Sequence, residues 1–148
     1  MKGQRYKLIM QKEESFNYKA RQVNNPSVLA ENFDSIFGLS QQAEEILALI
    51  CFDAKLRIIG AFEVSRGALS QTVVSPREIF KRAVLCNAHS FAIAHNHPSG
   101  DPNPSKEDHM VYKRLSECGD MLGVECKDAL VIGDGRYYSH KGDEYNLF

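Results

Sequence analysis

Helical and strand patterns alternate along this chain, predicting an α/β or α+β protein of at most three layers. Three observations carry that reading. Two pairs of apolar runs, each split by a short polar turn, read as hairpins; three segments have helical spacing; and a short unbroken apolar run between helices reads as a buried strand. At 148 residues the chain is most simply one domain that buries a core without disulfide support.

In order, "RYKLIMQK" (5–12) reads as an edge strand within an N-terminal extension, residues 1–25, and the folded domain takes 26–148. Val28, Leu29, Phe33, Ile36 and Phe37 recur at helical spacing up to Gly38, with Ser27 as the cap. "EEILALICFDAKLRIIGAFEVSRG" gives two apolar runs around "DAK", a hairpin. Ser75, Pro76 and Glu78 form a capping box with proline at the first helical position, predicting a helix over 76–87. "SFAIAHNH" reads as a buried strand. Ser105 then opens a helix to about Met121, with Met110, Leu115 and Cys118 facing inward. "VECKDALVIGDGRYYSH" closes as a hairpin turned at "GDG". Helices thus interleave with a largely antiparallel or mixed sheet.

Composition narrows the function. A net charge of -1 provides no basic field to hold a phosphate backbone, so DNA binding is unsupported. Cys51 and Cys86 sit in apolar runs, Cys118 and Cys126 fit no zinc-knuckle spacing, and no C-x-x-C pair occurs. That usage suits reduced thiols in a cytoplasmic protein. The apolar run "LIM" is too short for a signal peptide, and no stretch approaches the ~20 apolar residues of a membrane span.

The chemistry concentrates in "HNHPSGDPNPSKED", residues 95–108. Residues i and i+2 of a strand share a face, so His95 and His97 stand side by side with Cα atoms ~6.6 Å apart, while Asn96 points away. Prolines 98, 102 and 104 stiffen the return to a helix whose first turn holds Asp108. Two histidines, one aspartate and a water make an open tetrahedral zinc site of the catalytic kind. Ser105-x-x-Asp108 is equally an acceptable helix cap, but a cap does not explain H-x-H. His89, His109 and His140 read as ordinary residues; His109 lies about 100° around the helix from Asp108.

H-x-H, seven intervening residues, then S-x-x-D resembles the JAMM (MPN+) metalloprotease motif, matched in full by His95, His97, Ser105 and Asp108. The surrounding "HNHPSGDPNPS", with "SPREIFKRA" upstream and "VIGDGRYYS" downstream, resembles the RadC family within that fold, over about residues 26–140. The resemblance implies a cytidine-deaminase-like three-layer α/β/α arrangement around a mixed, curved sheet. It also implies zinc-dependent hydrolysis of a peptide or isopeptide bond, with a protein or peptide substrate. The JAMM pattern places a general-base glutamate at the start of an upstream strand. That points to Glu45, which opens "EILALICFD", with Glu63 as second choice and Glu78 committed to its capping box. Ser105 would donate to the developing oxyanion. Two departures stand out. Ser75 replaces the histidine of the family's "HPRE", removing a residue from behind the ligands, and the helix-hairpin-helix of longer RadC proteins has no counterpart here. Two further readings remain open: a DNA-repair-associated accessory protein whose metal is structural or vestigial, and a metal-dependent nuclease. The second is less natural, because phosphodiesterases favour carboxylate-rich two-metal sites. Neither "LSQTVVSP" nor "KGDEYNLF" names a partner, and a homo-oligomer built through the N-terminal strand is left open.

Overall fold

The computed structural model describes residues 1–18, 24–67 and 74–148. The first helix, α1 (Pro26–Phe37), is capped by Asn25, whose Oδ1 accepts the Ser27 N–H at 2.9 Å. Ser27 is therefore inside the helix and not its cap. Pro26 takes the first helical position, where a missing N–H goes unnoticed, and so moves the cap two residues upstream. Gly38, left-handed at φ 62°, ends the helix.

Strands β1 (Ile46–Phe52) and β2 (Ile58–Arg66) form the expected hairpin. Its turn is held by Asp53, which accepts the N–H groups of Lys55 and Arg57, each at 2.9 Å. Helix α2 (Pro76–Leu85) ends two residues earlier than the sequence predicts. Ser75 caps it, accepting from Arg77 N–H at 3.2 Å. Glu78 does not close a capping box with Ser75; it pairs with Lys81 and Arg82 at 2.8 and 2.9 Å, since two cations one turn on outcompete one N–H. Strand β3 (Ser90–Asn96), helix α3 (Lys106–Leu122), and strands β4 (Glu125–Ile132) and β5 (Arg136–Ser139) follow as expected. A sixth strand, β6 (Glu144–Leu147), extends the second hairpin and lies within the tail the sequence left unassigned.

The sheet order is β2-β1-β3-β4-β5-β6, antiparallel throughout except for the parallel pair β3 and β4. Parallel neighbours require a crossover, and α3 supplies it. Strand β1 is buried along its whole length and alternates between two cores. Ile46, Ala48, Ile50 and Phe52 pack with Leu29 and Phe33 of α1, whereas Leu47, Leu49 and Cys51 pack with Ile79 and Phe80 of α2 and Leu115 of α3. A strand covered on both faces reads as a continuous apolar run, as this one does. The result is a three-layer mixed α/β fold with an open sheet.

Two further expectations fail here. Residues 5–12 form no strand: Tyr6, Leu8 and Ile9 are 85%, 80% and 79% exposed, and both sheet edges, β2 and β6, come from later residues. An apolar run with no ladder to join within its own chain gains nothing from being extended. Met110 is exposed rather than inward, because five residues place it about 140° around α3 from the buried Leu115. Residues 68–73 of the loop containing "LSQTVVSP" lie outside the described residues. No helix among the described residues is long and apolar enough to cross a membrane.

The second hairpin depends on Asp128, 3% exposed. Its Oδ1 accepts the N–H groups of Ala129 and Lys141 at 2.8 and 3.0 Å, and its Oδ2 accepts the Ser139 hydroxyl at 2.6 Å. Burial pushes this carboxyl above the ordinary 3.8, in spite of the three donors. A carboxyl raised on folding contributes stability fully present below its unfolded pKa and lost as pH rises through its folded one. Wild type should therefore lose stability relative to Asp128→Asn as pH rises from below 3.8 through the raised value. Asp128→Ala, which orphans three donors, should lower the urea-unfolding free energy by about 1–3 kcal/mol.

Candidate metal centre

His95 is near the end of β3 and shares the α3-facing side of the sheet with Phe91 and Ile93. His97 follows the strand, but its N–H still donates to Ile132 O at 2.9 Å, carrying the parallel ladder with β4 one step further. The strand alternation thus persists through both histidines. Their Nε2 atoms are 3.2 Å apart. Asp108 meets both from the first turn of α3, with Oδ1 at 3.3 Å from His95 Nε2 and Oδ2 at 3.5 Å from His97 Nε2. Donors ~2.0–2.1 Å from a tetrahedral zinc are separated by ~3.3 Å along each edge of the tetrahedron. The Nε2–Nε2 separation matches that edge, and Asp108 approaches the two histidines through different oxygens, so the three side chains converge closely enough to share one divalent ion. Side-chain exposures of 13–20% leave the group reachable from solvent. Among the described residues this is the one group of three or more histidine, cysteine or acidic side chains so converged.

The return loop orders the site. Gly100 N–H donates to His97 O at 2.9 Å, and Asp101 O lies 2.9 Å from His97 Nδ1. A carbonyl can only accept, so His97 Nδ1 donates, and in the neutral ring Nε2 is left to present a lone pair. Gly100 O in turn accepts the Asp134 N–H at 3.0 Å. This approach needs Gly133, where a Cβ would stand 2.3 Å from Gly100 O and 2.9 Å from Pro102.

Ser105 and Asp108 form a complete capping box. Asp108 N–H donates to Ser105 Oγ at 3.1 Å, and Ser105 N–H donates to Asp108 Oδ2 at 2.8 Å. Cap and ligand are therefore compatible roles for one carboxylate, not alternatives. Burial by itself would raise the Asp108 carboxyl, but the contacts from His95 and His97 hold it well below the usual range. Reciprocally, the hydrogen bond to Asp108 raises His97 above 6.5, with a smaller contribution from the charge of Glu45.

Glu45 reaches that neighbourhood through register. Leu47 pairs with His95 across the antiparallel β1–β3 ladder. Continuing that register two residues back from Leu47 and two forward from His95 would bring half-buried Glu45 opposite His97, in keeping with the effect of its charge on that ring. Glu63 belongs elsewhere: it pairs with Ala48, whose side chain faces α1, and is exposed and bonded to Arg66 at 2.5 Å. Glu44 turns towards Arg66, 3.9 Å away.

The sequence reading missed Asn96, which it assigned only to the opposite face. It is 1% exposed; its Oδ1 accepts Ile46 N–H at 2.7 Å and its Nδ2 donates to Glu44 O at 2.9 Å. Those two groups belong to the peptide units on either side of Glu45, so Asn96 fixes the backbone that aims it. The available signal was a side-chain amide at a position where an apolar residue would have filled the core. His109 and His140 stand beside the centre without joining it: their rings pack 4.9 Å apart, and His140 Nδ1 bonds Ala129 O at 2.7 Å.

Residues 23–145 match the family described as RadC-like JAB domain, and the chain belongs to that family. It is 49% identical over 98 residues to a UPF0758 protein of Clostridium perfringens, covering 66% of this chain and 43% of that protein. A UPF0758 protein of Trichlorobacter lovleyi is 45% identical over 101 residues, 68% of this chain and 44% of the relative. One from Methanosarcina mazei is 42% identical over 107 residues, 72% and 47% respectively. The chain thus spans less than half the length of these relatives.

Gly133→Ala should displace the Gly100 carbonyl and with it the loop that fixes His97. The expected outcome is weaker binding of added zinc by isothermal titration, by about tenfold or more, with the far-UV circular dichroism of wild type.

Proposed function

We propose that this domain is a zinc-dependent hydrolase acting on a peptide or isopeptide bond. The observation that carries the reading is the convergence of His95 Nε2, His97 Nε2 and the Asp108 carboxylate, with contacts of 3.2–3.5 Å, beside half-buried Glu45. Zinc held by His95, His97 and Asp108 would supply a water of lowered pKa and an electrophile for the scissile carbonyl. Glu45 takes the proton from the attacking water and returns it to the leaving amine. Asn96 positions Glu45 by holding both flanking peptide units. Exposed Ser105 accepts from Asp108 N–H through its oxygen, which leaves its hydroxyl proton to donate to the developing oxyanion.

Elemental analysis should find one zinc per chain in wild type and a loss of zinc in His95→Ala and Asp108→Ala. In a peptide-library cleavage assay, Glu45→Gln should keep its zinc and lose about 10²–10⁴ in kcat. Asn96→Ala should likewise keep zinc while losing kcat. Undiminished cleavage in Glu45→Gln would remove Glu45 from the mechanism, and equal zinc in all variants would remove the ligand assignment.

A second reading is a DNA-repair-associated accessory protein whose metal holds β3 to α3 without chemistry. The direct span of the triad from strand to helix favours it, because an ion there would brace the crossover. Charge argues against unaided DNA binding: the net value is -1, and Lys81 and Arg82 are both engaged by Glu78. Fluorescence anisotropy with duplex DNA at about 150 mM salt should show weak, unsaturated binding that falls further as salt rises. Tight saturable binding, lost on reversing the charges of Arg77 and Lys81, would put the accessory reading first.

A further inference from the structure

Two cysteines outside the metal centre meet towards the end of β1 remote from it. Cys51 is fully buried on the face covered by α2, in a cluster with Leu49, Phe80 and Phe91. Its antiparallel partner on β2 is Gly60. Directly opposed residues project to the same face, with Cβ positions ~5 Å apart. A Cβ on Gly60 would lie 3.5 Å from the Cys86 sulfur, so that sulfur fills the hollow left by the missing side chain, beside Cys51. Cys86 is the C-terminal cap of α2, half-buried and packed against the same cluster. The Cys86 thiol is held in that position by its bond to Ala83 O, 3.5 Å away.

We propose that Cys51 and Cys86 are a reversible redox pair, oxidised by a hydroperoxide to a disulfide that ties the end of α2 to the central sheet. Cys86, half-buried where Cys51 is fully buried, is the more accessible of the two. Its thiolate attacks the peroxide O–O bond; an S–O bond forms and hydroxide leaves, giving a sulfenic acid. Cys51 then attacks that sulfur, the S–O bond breaks, the S–S bond forms, and the departing hydroxide takes the Cys51 proton as water. Two thiols lose two electrons and two protons while hydrogen peroxide becomes two waters. The contact with Cys51 lowers the Cys86 thiol, while the contact with Cys86 and burial push Cys51 up, so thiolate character rests on the more accessible sulfur. Cys126 is no competitor, since burial pushes its thiol up to about 12.

The test is to treat the whole chain with hydrogen peroxide, alkylate remaining thiols, and measure mass without reductant. The expected product has lost two hydrogen atoms, regains them with dithiothreitol, and yields one cross-linked peptide pair containing Cys51 and Cys86. Cys86→Ser should abolish the cross-link, and Cys51→Ala should stop at a sulfenic acid on Cys86 that dimedone traps. If Cys51→Ala fails to fold, the wild-type peptide map decides alone. A wild-type product ending as sulfinic acid on Cys86, or a cross-link through Cys118 or Cys126 instead, overturns the proposal.

Discussion

The carboxylate of Asp108 joins three parts of this molecule that the chain separates. One oxygen accepts the Ser105 N–H at the start of α3, and the two oxygens together face the imidazoles that end β3. A helix N-terminus carries a partial positive charge, so an anion there is favoured before any ligand is considered. The same anion is the natural partner of two histidines at a strand end. Strand β3, the proline-rich loop and α3 are thereby held in one relation, and α3 must then cross to β4, the parallel neighbour of β3. Moving Asp108 by a residue in either direction would take its carboxylate about 100° around the helix and undo cap and site together.

That coupling explains why so much of the centre was legible in the sequence. His95, His97, Ser105 and Asp108 obey short-range rules: a strand period of two, a loop stiffened by proline, a capping box within four residues. Glu45 is different, since nothing local separates it from Glu44 or Glu63. Its choice came from a family pattern, and only the long-range pairing of Leu47 with His95 brings its segment near the histidines. Asn96 stayed hidden for a related reason. Its partners, Glu44 O and Ile46 N, are about fifty residues away in sequence, and only the register of two strands brings them together.

The misread elements share one cause. "RYKLIMQK" has a strand's composition but no ladder, and β6 has a ladder but an unremarkable composition. A strand's stability comes from its neighbours, so composition alone cannot rank an isolated apolar run above a short polar tail that happens to pair. Helix ends are sensitive to smaller effects. Pro26 selected Asn25 over Ser27 as the cap, and Lys81 with Arg82 drew Glu78 from Ser75. Each choice turns on one hydrogen bond or ion pair, worth roughly 1 kcal/mol or less, against the many apolar contacts that fixed the strands and helices themselves.

The late strand also matters to the centre, although no ligand lies on it. Tyr145 of β6 donates to Asn103 at 2.6 Å, bracing the loop whose Asp101 carbonyl holds His97. Between them lies a cavity of about 480 Å³, lined by Asp101, Asn103, Arg136 and Tyr145 among others. The loop is thus clasped from two directions: by the Gly100 carbonyl against the β4–β5 turn, and by Asn103 against β6. A proline-rich loop pinned at both contacts has few ways to move, and a side chain held by such a loop would give up little entropy on binding an ion. The stiffness of the centre therefore comes from the C-terminal hairpin as well as from the prolines. Substitutions at Tyr145 would act on His97 through three bonded steps, without touching any donor atom.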